Sequence, residues 1–272
     1  LFNGKKGVGK FTFTLHLVTY FLDKTYNFEN KTILNSSKIL NQYPNYINEN
    51  VIILSPTLEN NKINDIRNLK KKLYRKTISN NYRFIILDDV EKFNHNALNS
   101  LLKVLEEPNS NDHFILINNN QFQILKTIKS RCLEINFYLK DNERINIINS
   151  LISLFNIDPV LDFNNYYVTP GNYLNFNRIC IDNKLSDELD LKKKLNTLFM
   201  LYKKNKSQIY IELAIFFTDK YFYLLALNNS KNIDLINNIK INTIKLINEY
   251  VIYNLNINSV LDKIFNQFNH AK

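Results

Sequence analysis

The chain has 272 residues, enough for two or three packed modules at about 100 to 200 residues each. Hydrophobic residues at 45% and charged residues at 22% lie near globular averages, which excludes a wholly disordered or collagen-like chain. The net charge of +10 invites a nucleic-acid or acidic partner, but only six of the 35 basic residues are Arg. Richness in Lys, Asn, Ile and Tyr with scarce Ala, Gly and Pro reads as the codon bias of an AT-rich genome. Arg67, Arg75, Arg83, Arg131, Arg144 and Arg178 are therefore more informative than the lysines.

From Leu1 to about Tyr138, apolar runs alternate with helical periodicity, the pattern of a parallel α/β sheet. The chain starts on Leu1 rather than Met with a motif almost at once, so further residues upstream are expected. Gly4-Lys5-Lys6-Gly7-Val8-Gly9-Lys10 fits a P-loop and uses three of the chain's four glycines. Glycines let a backbone wrap a polyphosphate with amides inward, the following helix adds positive potential, and Lys10 would neutralise phosphate charge. Phe11 stands where a Ser or Thr hydroxyl would ligate Mg²⁺, and a phenyl ring ligates no metal. Thr12 is one residue late, about 100° further round the helix.

The Asn- and Tyr-rich segment 26–50 has no clear period and reads as a loop. Val51 to Leu54 is the next strand candidate. Arg67, Lys70, Lys71, Lys72, Arg75 and Lys76 fall on one helix with Leu69 and Leu73 on its buried side; a solvated face outweighs a DNA contact. Phe84 to Leu87 is apolar without alternation, as for a strand covered on both faces, and ends in Asp88-Asp89. That is where P-loop folds present metal-binding and water-activating acids, or where two acids simply end a strand. Ala97, Leu98, Leu101, Leu102 and Leu105 mark a helix that stops near Glu107, before Pro108. A strand at His113 to Ile117, a helical piece at Gln121 to Lys129, Ser130-Arg131-Cys132 and a strand at Leu133 to Phe137 follow.

From Asp141 onward the pattern is helical: Glu143 to Phe155 with Asp141 as cap, a short piece after Pro170-Gly171, then Asp187 to Lys204, Gln208 to Leu227, and Ile233 to His270 with a break. The expected domains are an α/β core at 1–138, a small helical domain at 139–182 and a helical bundle at 183–272. Phe216, Phe217, Tyr221, Phe222 and Tyr223 recur amid Leu and Ile, which favours packing over base stacking. Cys132 and Cys180 are too few for a disulfide framework and give no zinc spacing, so a reducing compartment is expected. No apolar run reaches the roughly 18 residues of a membrane span. A cytoplasmic protein with no membrane partner is the resulting expectation.

Taken together, Gly4 to Lys10, Asp88-Asp89, the run Asn96 to Pro108 and Ser130-Arg131-Cys132 resemble the clamp-loader AAA+ subunits of bacterial DNA polymerase III. Tyr43-Pro44-Asn45 and Ile63 to Leu69 sit where such subunits carry similar segments, and the detailed resemblance covers Leu1 to about Asp141. The resemblance implies an AAA+ P-loop domain, a helical lid and an all-α collar. It also implies that Arg131 acts in trans as an arginine finger on a neighbour's ATP. The family's hydrolysing tau/gamma subunits end the P-loop in Ser or Thr, place Glu where Asp89 stands, and carry a lid arginine where this chain has Asn172. These departures imply a subunit that does not hydrolyse ATP, with Gly4, Gly7, Gly9, Lys10, Asp88 and Asp89 a degenerate nucleotide site. Asn118 takes the position of the family's phosphate-sensing polar residue. Many family members carry a four-cysteine zinc module before the acidic pair; this chain has no cysteine there, so no metal is expected. The implied partners are tau/gamma and delta subunits in a hetero-oligomer and, indirectly, a sliding clamp and primed DNA. Two alternatives stand beside it: an active clamp-loader ATPase working despite Phe11, and a stand-alone P-loop-derived nucleic-acid-binding module.

Overall fold

The apolar runs of the first half become strands of one parallel sheet in a computed structural model that describes residues 1–33, 37, 50–56, 69, 73, 82–186, 189–228 and 232–268. The basic residues Arg67, Lys70, Lys71, Lys72, Arg75 and Lys76, the Tyr43-Pro44-Asn45 segment and most of 26–50 lie outside the described residues. Leu69 and Leu73 are described, and both are buried as their periodicity predicts. The chain divides into two units, Leu1–Arg144 with Thr169–Gly171, and Ile145–Val168 with Asn172–Lys272.

In the first unit, β1 (Phe2–Asn3), β2 (Val51–Leu54), β3 (Arg83–Leu87), β4 (Asp112–Asn118) and β5 (Ile135–Asn136) form a sheet in the order β2-β3-β4-β1-β5. All pairings are parallel. Every residue of β3 is buried because helices cover both faces, which is why its sequence does not alternate. Ile85 and Leu87 meet Ala97, Leu98 and Leu101 of α2 (His95–Glu106) on one face. Phe84, Ile86, Ile115 and Ile117 join Val18 of α1 (Lys10–Leu22) on the other. The Asn94 side chain caps α2 by accepting from Asn96 N at 2.8 Å, and the helix ends at Glu106, two residues before Pro108.

The expected helical piece at 121–129 shrinks to α3 (Lys126–Lys129). Just before it, the Glu91 carboxylate accepts from the backbone N–H groups of Asn119 and Gln121, and Asn120 turns left-handed at φ 57°. A side chain thus takes donors that a helix start would have used. The last strand is shorter than Leu133 to Phe137, since pairing with β1 covers only Ile135 and Asn136.

At the start of β3, Arg83 is 5% exposed and its Nε and Nη2 donate to the two oxygens of Asp112 at 2.7 Å each. A third bond runs from Nη2 to Leu73 O at 3.1 Å, and Asn109 Nδ2 donates to Asp112 at 2.7 Å. The two charges are desolvated but paired and hydrogen-bonded.

α4 (Asp141–Phe155) carries the chain from one unit to the other, with Asp141 as its first residue rather than its cap. The Asp141 carboxylate accepts from Arg144 Nε at 3.2 Å. The short piece expected after Pro170-Gly171 is a full helix, α5 (Pro170–Asp182). Proline suits its first turn, where no N–H is required. α6 (Leu191–Asn205), α7 (Ile209–Asn228), α8 (Ile233–Tyr253) and α9 (Ile257–Phe268) complete the second unit. The expected break falls at Asn254, left-handed at φ 49°, whose N–H closes on Tyr250 O. Phe217 and Phe222 are buried in this unit's core and Phe216 and Tyr221 pack against it, while Tyr223 stays half-exposed. Buried Asn177 accepts from Val160 N and Leu161 N at 2.8 and 3.1 Å and donates to Asp158 O at 2.6 Å, fixing the turn before α5.

Among the described residues no helix is long and apolar enough to cross a membrane, and no group of three or more His, Cys, Asp or Glu is placed to hold a metal. Replacing Asp112 with Ala strands the Arg83 charge in the sheet. The variant is expected to lose about 3–5 kcal/mol in urea unfolding, whereas a loss under about 1 kcal/mol would show that water reaches the pair.

Candidate functional site

The switch point of the sheet lies between β4 and β1, where α/β folds place ligands beyond the carboxyl ends of the strands. The glycine loop leaves β1 there. Gly4 N donates to Asn118 O at 3.2 Å, and a Cβ on Gly4 would lie 2.4 Å from Phe137 O, so only glycine passes between these strands. Gly7 and Gly9 are left-handed at φ 84° and 99°, which lets the loop turn into α1 with Gly9 as its cap.

Lys10 opens α1 and is 3% exposed. Its ammonium donates to Gly4 O at 2.7 Å and Lys5 O at 2.8 Å. Burial pulls its pKa down to about 8, against the opposing charges of Glu91, Asp88 and Asp89. The next two loop carbonyls are also engaged. Thr169 Oγ1 donates to Lys6 O at 2.7 Å and Gly171 N to Gly7 O at 2.9 Å. A Cβ on Gly171 would come 2.9 Å from Gly7 Cα, so glycine is required for this approach. Four successive carbonyls, Gly4 to Gly7, therefore accept hydrogen bonds from the protein itself.

Phe11 turns its ring into the sheet face, against the cluster of Phe2, Val18 and Ile117, while Thr12 is exposed. The position of a metal-ligating hydroxyl has become a packing position. The donor set consequently does not fit the magnesium of a hydrolysing P-loop site.

Asp88 and Asp89 follow β3, as the sequence indicates. Burial and the neighbouring Asp89 charge push the Asp88 carboxyl up to about 6. Asp89 is left-handed at φ 50° and its carboxylate is committed on both sides, to Lys92 Nζ at 2.8 Å and to the Asn119 amide. Burial alone would raise its pKa; these two bonds and the Lys92 and Lys6 charges bring it below the usual carboxylate range. Asn118 ends β4, buried, with its amide donating to Asn3 Oδ1 at 2.8 Å and Asn120 Oδ1 at 2.7 Å. Asn172, expected where a lid arginine would stand, is the third residue of α5.

Sequence reasoning missed Glu91, Asn119 and Thr169. Glu91 is 8% exposed, its pKa raised by burial and by Asp89, and its Oε2 is buried without a hydrogen-bond partner. Its place three residues beyond Asp88 was the available signal. Asn119 was hidden by the abundance of Asn.

Arg131 stands apart from this cluster, in the turn after α3 and at the surface. Its side chain is 29% accessible, and Nε donates to Glu106 Oε1 at 2.6 Å, with Nη2 on the same oxygen. Nη1 donates to Thr127 O at 2.7 Å and Ser130 Oγ at 3.3 Å. The other described arginines are structural or locally paired: Arg83 is buried on Asp112, Arg144 bonds Asp141, and Arg178 lies 3.8 Å from Asp182.

A glycine loop after the first strand, acids after the third and a polar end to the fourth define a P-loop α/β protein. Residues 1–141 match the family described as DNA polymerase III, delta subunit, and the chain belongs to that family. The delta-prime subunit of DNA polymerase III from Buchnera aphidicola subsp. Schizaphis graminum is 31% identical over 154 residues, 53% of this chain and 46% of that protein. The corresponding subunit of Buchnera aphidicola subsp. Baizongia pistaciae is 29% identical over 93 residues, covering 34% and 28%. The gamma subunit from Buchnera aphidicola subsp. Acyrthosiphon pisum is 31% identical over 84 residues, covering 31% and 23%. The matched stretch spans about half or less of the length of these curated relatives. A gamma subunit-related protein of Thermotoga maritima superposes with a TM-score of 0.42 at 20% identity, over 85% of this chain and 89% of that one.

Because the folded pKa of Asp88 lies above the ordinary 3.8, the unfolded state loses its proton first as pH rises. Stability attributable to Asp88 therefore falls between about pH 4 and 6, and the cost is complete above that window. Asp88→Asn is expected to be neutral near pH 4 and to gain about 2 kcal/mol near pH 8 in denaturant unfolding; an equal effect at both values would rule out titration as the cause.

Proposed function

We propose that this chain is a clamp-loader subunit of the delta-prime type that does not hydrolyse ATP and lends Arg131 to the ATP site of a neighbouring subunit. The observation that carries the non-hydrolysing half is Phe11, whose ring packs in the sheet where a magnesium-ligating hydroxyl would be needed. Lys10 supports it, since its ammonium is spent on Gly4 O and Lys5 O, and so does Asp89, whose carboxylate is held by Lys92 and Asn119. Any nucleotide held at this loop would stay intact, and the reading requires no zinc. Residues 139–182 act as the lid and 183–272 as the collar that joins the ring.

The finger half is supported by the surface position of Arg131 and by guanidinium chemistry. Arginine is always charged, and its planar fork matches phosphate oxygens in pairs. Delivered from a neighbouring subunit, it would stabilise the charge that develops on the transferred phosphoryl group. The partners are ATP-hydrolysing tau/gamma subunits and a delta subunit, acting on a sliding clamp and primed DNA. The energy source is the neighbour's ATP, and this chain supplies geometry and one cation.

The purified chain should show no magnesium-dependent ATP turnover; measurable turnover abolished by Lys10→Ala would overturn the non-hydrolysing reading. In a reconstituted loader whose other ATP sites are silenced by substitution of their P-loop lysines, Arg131→Ala should slow hydrolysis at the adjoining site by roughly 10³-fold or more. Unchanged single-site hydrolysis would remove the finger assignment.

A further inference from the structure

A cation destined for another subunit's phosphate must be kept from other anions until that phosphate arrives. In this chain the Arg131 fork is already filled. Nε and Nη2 both donate to Glu106 Oε1, and Nη1 donates to Thr127 O and Ser130 Oγ. Glu106 is the last residue of α2, the helix that ends just before Pro108, and its side chain is 45% accessible.

Glu106 stands at the end of α2, where a neighbouring cation is favoured. The C-terminus of a helix carries partial negative charge, so a carboxylate there is disfavoured unless a cation stands beside it. Glu107 follows directly, and Lys103 is the basic residue of the final turn. Arg131, arriving from the turn after α3, places a cation at this helix end against Glu106. The same pairing occupies the edge of the guanidinium that would grip two phosphate oxygens.

We propose that Glu106 is an anionic placeholder for Arg131: it holds the guanidinium in the free subunit and must be exchanged for the neighbour's phosphate when the loader engages ATP. This rests on the finger reading above. Glu106 is then a positioning residue that opposes engagement without taking part in phosphoryl transfer. A multiply charged phosphate displaces it, whereas a singly charged carboxylate on a passing partner gains little over Glu106. Exchange is also possible without unfolding anything, because both side chains reach solvent and exposed ion pairs are weak.

The test uses the full-length chain in a reconstituted loader with the other ATP sites silenced. Glu106→Gln removes the charge and keeps the shape. Releasing Arg131 from competition should lower the KM for ATP at the adjoining site by about two- to five-fold with kcat unchanged. In the Arg131→Ala background, Glu106→Gln should have no effect on KM, while thermal unfolding reports that the variant folds. An unmoved KM in Glu106→Gln, or a fall in kcat, would overturn the placeholder role, the second by showing that Glu106 aims the finger. If Arg131→Ala itself leaves single-site hydrolysis intact, the finger reading fails and the placeholder with it. Loss in Arg131→Ala with an unmoved KM in Glu106→Gln removes the placeholder alone.

Discussion

The Arg83–Asp112 pair sits on the first rung of the β3–β4 ladder, and the placement of the site depends on that rung. These residues are directly opposite in the parallel register, and the pair ties in the Leu73 carbonyl as well. A slip of one residue would invert every side chain of one strand, sending Ile85 and Leu87 to the α1 face and Phe84 and Ile86 to the α2 face. It would also shift Asp88 and Asp89 relative to Asn118 and Asn119. The distance over which Asp89 meets Asn119 is thus set at the far end of the strands. Apolar pattern and buried charge specify the same register, so local and global preferences agree.

At the carboxyl ends of those strands, the polar groups are satisfied mainly by one another. Lys10 bonds loop carbonyls, Asp89 bonds Lys92 and Asn119, and Asn118 bonds Asn3 and Asn120. The Lys10 ammonium is turned on two loop carbonyls, and the acids differ in their surroundings: hydrogen bonds and the Lys92 and Lys6 charges lower the Asp89 carboxyl, whereas burial raises Asp88 and Glu91. Arg131 shows the same economy at the surface, where its donors rest on Glu106 and on the turn that carries it.

Much of this was legible in the sequence because its signals are local. Phe84 to Leu87, the glycine loop and the Pro108 stop each state their conformation within a few residues, and the parallel α/β unit with helices after it follows. The pattern after Pro170 predicts only a short helix because the core residues of α5, Tyr173, Phe176, Asn177 and Cys180, mix polar and aromatic types that blur the period. The period at 121–129 predicts a longer helix than α3 because Glu91, some thirty residues earlier, captures the amides of Asn119 and Gln121 at its start. Gly4, Gly7, Gly9, Lys10, Asp88 and Asp89 were legible as a site. Its inward-turned bonding was not, since Thr169 and Gly171 give no hint in the sequence that they meet Lys6 and Gly7.

That last contact has a temporal side. Thr169 bonds a carbonyl 163 positions earlier in the chain, so the first unit closes with residues made long after its opening loop. Synthesis runs from the N-terminus at about 5–20 residues per second, which leaves the glycine loop without its Thr169 and Gly171 donors for on the order of ten seconds. During that interval β1, β3 and β4 can already pair, with Lys6 and Gly7 still open to water. The nascent chain therefore passes through a stage in which this loop is more accessible than it will be in the finished protein.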